Sequence, residues 1–152
     1  MVIYLSAPVF CQHERRWNRR IAELMQERIQ DCRVILPQDF KVKGRYNDRK
    51  NFREIFDQCI AGIRQADVII AVLDGADTDS GVALEVGFAY GLGKPIVGVR
   101  TDYRQNQFRG LNVMLAGACT EVCCEMAFQE DPAPLVSSLI ERMPKAVRKT
   151  DT

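Results

Sequence analysis

Residues 68–87 read Val-Ile-Ile-Ala-Val-Leu-Asp-Gly-Ala-Asp-Thr-Asp-Ser-Gly-Val-Ala-Leu-Glu-Val-Gly. The run Val68 to Leu73 holds no polar residue, as expected for a central strand covered on both faces. Asp74-Gly75 is a turn pair, and the acidic loop Asp74 to Ser80 leads into a helix predicted from about Gly81 to Leu92. Gly93 ends that helix, and Pro95 opens the next strand, Ile96 to Val99. Strand, helix and strand in this order make one crossover unit of a parallel sheet.

The same alternation extends in both directions. Upstream, Val2 to Leu5 is a short strand stopped by Ser6-Ala7-Pro8. From Glu14 to Ile29 the apolar residues Trp17, Ile21, Leu24, Met25 and Ile29 recur at three- and four-residue steps, one face of an amphipathic helix. Arg33 to Leu36 is a strand ended by Pro37, and polar Lys41 to Lys50, with Gly44 and Asn47, is expected to be an exposed, mobile loop. A helix over Phe52 to Arg64 turns Ile55, Phe56, Cys59, Ile60 and Ile63 inward. Downstream, a loop over Asp102 to Gly117 precedes a strand near Thr120 to Cys124 and a helix near Pro134 to Met143. Residues 1–144 then form one domain, and 145–152 a polar tail.

Strand–helix alternation throughout predicts an α/β fold: a flavodoxin-like three-layer sandwich with a five-stranded parallel sheet in the order 2-1-3-4-5. Such sheets bind ligands beyond the carboxyl ends of the strands, where the strand order reverses. The segments that emerge there are Ser6-Ala7-Pro8 and Asp74 to Ser80.

Composition narrows the function classes. The chain has 152 residues, enough for a single continuous core, and is 47% hydrophobic with a net charge of +1. That balance provides no basic excess for a nucleic-acid partner, and Arg15, Arg16, Arg19 and Arg20 share a helix with acidic residues, so they read as a solvated face. No apolar run approaches the roughly 18–20 residues needed to span a membrane, and Met-Val-Ile-Tyr-Leu is no signal peptide. A cytoplasmic location follows as an expectation. The six cysteines (11, 32, 59, 119, 123, 124) need form no disulfides. Cys119, Cys123 and Cys124 lack a second ligand pair, with the single histidine, His13, distant in sequence, so neither a metal site nor a cofactor is expected.

Within the acidic loop, Asp79 or Ser80 is a natural helix cap and Asp74-Gly75 a plain turn. Glu85 is different. It stands in a helix built otherwise almost wholly of Ala, Val, Leu, Phe, Tyr and Gly, where a carboxylate is costly to bury unless it is partnered or used.

Taken together, Tyr4 within Ile-Tyr-Leu-Ser-Ala-Pro, Ala66-Asp67-Val68-Ile69, then Leu-Asp-Gly…Asp-Ser-Gly…Glu-Val-Gly-Phe-Ala-Tyr…Gly-Lys-Pro, Thr101-Asp102-Tyr103-Arg104 and Asn112-Val113-Met114-Leu115 resemble the nucleoside 2-deoxyribosyltransferase family. The ordered set runs from Val2 to Leu115. The resemblance implies Glu85 as the nucleophile, Tyr4 as the residue that orients it, and Asp79 as the group holding the sugar hydroxyls. It further implies Asn112 as a residue lent to a neighbouring subunit, hence a homo-oligomer with shared sites, and Gln38 near the base. Ser6, Ser80 and Gly81 complete the expected substrate-binding set. The partners implied are a deoxynucleoside and a free nucleobase, and the reaction is a two-step, retaining transfer through a deoxyribosyl ester on Glu85, resolved by a second base or by water.

One position departs from the pattern. Relatives carry a base-contacting aspartate where this chain has Cys59, and a thiol is a weak donor. Asp57 lies roughly 200° around the helix from that face and is a poor substitute. Ala7-Pro8 also replaces a common Gly-Pro.

Two other functions compete. A 2′-deoxynucleoside 5′-monophosphate N-hydrolase would share the nucleophile but needs neutral phosphate ligands, where this chain has Asp79 and Asn112. A non-catalytic nucleotide-sensing module has no need of the Tyr4, Asp79, Glu85 set. A receiver domain would need an acidic pair closing strand one, where Ser6 and Ala7 stand.

Overall fold

The computed structural model describes residues 1–43, 48–104 and 111–145. Five parallel strands, β1 (Val2–Ser6), β2 (Arg33–Ile35), β3 (Val68–Val72), β4 (Ile96–Arg100) and β5 (Glu121–Cys124), form one sheet in the order β2-β1-β3-β4-β5. The helices are α1 (Gln12–Arg28), α2 (Arg49–Gln65), α3 (Ser80–Gly91), α4 (Val113–Ala118) and α5 (Ala133–Arg142). The fold is the α/β sandwich anticipated above, with the strand order reversing between β1 and β3. The expected loop over Lys41 to Lys50 includes residues 44–47, which lie outside the described residues; its last two residues already belong to α2, capped by Asp48.

Two apolar layers hold the sheet. Ile3 and Leu5 of β1 face α1 and α5, where they pack with Ile21, Met25, Leu135 and Leu139. Tyr4 of β1, with Ile69 and Ala71 of β3, faces the other way and packs with Ile63 of α2 and with Val82, Val86 and Ala89 of α3. This is the period-two alternation of a strand read on both faces. The central strand β3 is buried along its whole length, as its uninterrupted apolar run requires.

The ends of the crossover helices are tied down locally. Lys94 Nζ donates to the carbonyls of Arg64 (2.8 Å) and Ala66 (2.7 Å), closing the C-terminus of α2 with a cation. Asp79 Oδ1 accepts from the amides of Gly81 (2.9 Å) and Val82 (3.1 Å), starting α3. Gly93 follows α3 at φ +67°, the left-handed conformation that ends helices and favours glycine.

Two elements were not anticipated. A single 3₁₀ turn, Pro37–Asp39, follows β2. The segment expected to be a loop up to Gly117 contains α4, whose start is capped by Asn112 accepting from Met114 N at 2.9 Å. Phe56 also differs from expectation: it is 42% exposed rather than inward. Among the described residues, no helix is long and apolar enough to cross a membrane.

Candidate active site

Tyr4 and Ser6 sit two residues apart on β1 and so point to the same face of the sheet. Glu85, in the second turn of α3, meets both. The Tyr4 hydroxyl donates to Glu85 Oε1 at 2.6 Å, and the Ser6 hydroxyl donates to Oε2 at 2.5 Å. Each carboxylate oxygen thus receives one hydroxyl from a fully buried residue of β1, which fixes the carboxylate's rotamer. The close seat of Tyr4 depends on Gly62 of α2, where an added Cβ would come within 2.9 Å of the ring.

Burial raises the pKa of Glu85, opposed by the hydrogen bonds from Ser6 and Tyr4. Burial, followed by the adjacent carboxylate, raises Tyr4 far above the ordinary phenol range, so it remains a donor. Cys59 of α2 lines the same cavity as Glu85; burial pushes its thiol up to about 11, so it stays protonated at neutral pH.

Glu85 lies in the wall of a cavity of about 300 Å³ at the carboxyl edge of the sheet. Asp79, Gly81 and Val82 line one side, Ala7, Val9 and Phe10 of the β1–α1 loop another, and Phe52, Ile55, Phe56 and Cys59 of α2 the third, with Pro37. The structure therefore brings together Tyr4, Ser6, Asp79, Gly81 and Glu85 among the residues expected from sequence. Ser6, expected among the substrate-binding residues, lies fully buried and donates to the carboxylate. Ser80 is exposed and does not line the cavity. Gln38 is turned to α1, its Nε2 donating to the Arg15 carbonyl at 2.9 Å, and is not part of the cavity wall. Asn112 caps α4 through Oδ1 and does not line the cavity of its own chain.

A residue missed by the sequence reading organises the loops beside this cavity. Arg100 ends β4 with 1% exposure and donates to the carbonyls of Leu73 (2.7 Å), Gly75 (2.9 Å) and Arg104 (2.8 Å). Asp74 accepts from Thr101 N and Oγ1 and from Asp102 N, while Asp102 accepts from Gly75 N and is ion-paired to Arg104. The Arg104 hydrogen bonds hold Asp102 well below the usual carboxylate range. The loop carrying Asp79 is in this way stitched to the loop after β4. The signal was an arginine closing the apolar strand Ile96 to Val99. Near the N-terminus of α1, Cys11, His13 and Glu14 cluster closely enough to hold a metal ion. Glu14, however, is occupied by the amides of Phe10 and Cys11 as part of a capping box.

A comparison with curated proteins returned no match. Among solved structures, a conserved protein from Enterococcus faecalis V583 superposes with a TM-score of 0.72 at 25% identity, covering 93% of this chain and 98% of its own. A 2-deoxyribosyltransferase from Bacillus psychrosaccharolyticus gives a TM-score of 0.72 at 19% identity, covering 96% and 94%. The Clostridium botulinum CMP N-glycosidase BcmB gives 0.60 at 14%, covering 92% and 99%. The last two show a shared fold. The family model of nucleoside 2-deoxyribosyltransferase matches residues 3–132, most of the chain including Tyr4, Asp79 and Glu85. The chain belongs to the nucleoside 2-deoxyribosyltransferase family.

Proposed function

We propose that the chain cleaves the N-glycosidic bond of 2′-deoxynucleosides, with Glu85 attacking C1′ and the deoxyribosyl group passing to a second base or to water. The observation that carries this reading is a carboxylate held at both oxygens by Tyr4 and Ser6 in the wall of a small-molecule cavity. A carboxylate so placed can form a glycosyl ester, dividing one difficult displacement into two easier ones. Asp79 lines the same cavity and serves the sugar hydroxyls as an acceptor. The preference for deoxyribose over ribose rests on the family alone. The six free thiols fit a reducing, cytoplasmic compartment.

The test is incubation with a panel of 2′-deoxynucleosides, with and without a second free base, followed by product analysis and intact-mass measurement for a deoxyribosyl adduct. Release of no base from any member of the panel defeats the reading.

Acid should switch the reaction off. Attack needs the ionised form of Glu85, and burial raises its pKa, so kcat/KM is expected to fall on an acid limb lying above the ordinary glutamate range. Ser6→Ala removes the largest of the opposing hydrogen bonds and is expected to move that limb to higher pH. A limb that stays in place would remove Ser6 from the carboxylate's support.

The chain is further proposed to act as a homo-oligomer of at least two copies. Helix α3 leaves Leu84 (59%) and Tyr90 (63%) exposed beside Gly87 and Gly91, and α4 leaves Val113 (63%) and Met114 (78%) exposed. Apolar helix surface of this extent suits a self-complementary contact. Leu84→Glu is expected to convert the assembly to monomer in light scattering and to lower activity about tenfold or more, because the family resemblance brings Asn112 of a neighbouring copy to the site. An active wild-type monomer at assay concentration would end this proposal.

A further inference from the structure

The base end of the cavity is the least polar part of the site. Phe10 (78%), Phe52 (56%) and Phe56 (42%) all expose ring surface there, although they come from two separate segments. Arg53 lies over the Phe56 ring at 5.5 Å. Exposed rings grouped round one cavity suit a planar ligand held by stacking.

The lining offers few side-chain donors among the described residues. Among the described residues, the ionisable side chains of the lining are Asp79, Glu85 and Cys59. The amides of Gly81 and Val82 are taken by Asp79. Cys59 lines the cavity with Glu85, and a thiol is a weak donor. The Tyr4 hydroxyl already donates to Glu85.

Building on the reaction proposed above, we infer that this cavity selects substrates by the stability of the departing base anion. The base is stacked on Phe10, Phe52 and Phe56 and leaves without a proton from the enzyme, so the favoured substrates are 2′-deoxynucleosides of acidic, electron-poor bases. In the first step a Glu85 oxygen bonds to C1′, the C1′–N bond breaks, and its electron pair departs on the base nitrogen. The base anion then takes a proton from water. In the second step water or the nitrogen of another base bonds to C1′, the ester C–O bond breaks, and Glu85 is restored as a carboxylate while the attacking group loses its proton to solvent.

The experiment is single-turnover cleavage of 2′-deoxyuridines bearing fluoro, bromo, hydrogen or methyl at C5. Expected is a steep dependence, the rate falling about three- to tenfold per unit of leaving-group pKa. Cys59→Asp should flatten that slope and speed the poorest leaving group about tenfold or more, because a carboxyl group beside Glu85 is held protonated and can donate. Cys59→Ala should leave the slope as it is. A flat wild-type slope, or a slope altered by Cys59→Ala, overturns the inference while leaving the reaction itself standing. Cleavage of none of the series, with no deoxyribosyl adduct, overturns both.

Discussion

Glu85→Gln is expected to lower kcat by at least about a thousandfold while raising the thermal stability of the protein at neutral pH. The loss follows from the proposed chemistry: an amide oxygen cannot form the glycosyl ester, and removal of a nucleophile costs several orders of magnitude. The gain follows from the environment. Glutamine keeps the shape, accepts from Tyr4 through its oxygen and donates to Ser6 through its nitrogen, so no buried hydroxyl is orphaned. Because the folded-state pKa of Glu85 is raised, its protonated form is the one the fold favours. The stability linked to that proton is fully present below the unfolded-state pKa and lost as pH rises through the folded value. The advantage of Gln is therefore expected at pH 7 and should vanish below about pH 4. Each kcal/mol gained corresponds to about 2–4 °C in Tm for a chain of this size. Calorimetry at the two pH values, beside a turnover assay, checks both halves. A variant that turns over at near-normal rate removes Glu85 as nucleophile, and one that melts lower at pH 7 removes the account of its burial.

That trade between activity and stability was half visible in the sequence. A lone carboxylate in an apolar helix marks itself, because burial without a partner is costly. The sheet order was visible for a similar reason: strands covered on both faces must be apolar throughout, and Val68 to Val72 is. What could not be read is tertiary. The parity of Tyr4 and Ser6 places both on one face of β1, yet nothing local shows that α3 comes close enough for two hydrogen bonds to one carboxylate. Cys59 was noticed for what it replaces, and its place in the cavity with Glu85 depends on how α2 crosses the sheet over Gly62. Helix α4, six residues long, is too short for periodicity to register, and only Asn112 signals its start. Phe56 looked like core because helical spacing cannot distinguish an inward face from one that borders a cavity.

The wild-type enzyme is expected to prefer free 2′-deoxynucleosides over their 5′-monophosphates by about a hundredfold or more in kcat/KM. The commonest way for this fold to hold a phosphate is through the free amides at a helix N-terminus, aided by the helix dipole. At α3 those amides are occupied: Asp79 Oδ1 takes Gly81 N and Val82 N, and its charge already offsets the positive end of the dipole. The two readings of Asp79 offered by the sequence, helix cap and sugar ligand, are thus compatible, since one oxygen caps and the residue still lines the cavity. A dianionic phosphate brought within a few ångströms of that carboxylate meets a repulsion on the order of a few kcal/mol, which is the origin of the hundredfold figure. Asp79→Ser keeps a capping oxygen, removes the charge and frees one side of the helix N-terminus for an anion. It is expected to narrow the gap mainly by improving the monophosphate. The comparison is kcat/KM for a deoxynucleoside and its 5′-monophosphate, wild type beside Asp79→Ser, at two ionic strengths, since a charge effect at this partly open edge must weaken with salt. A wild type that favours the monophosphate would move the assignment to a nucleotide N-hydrolase and leave Asp79 with capping alone.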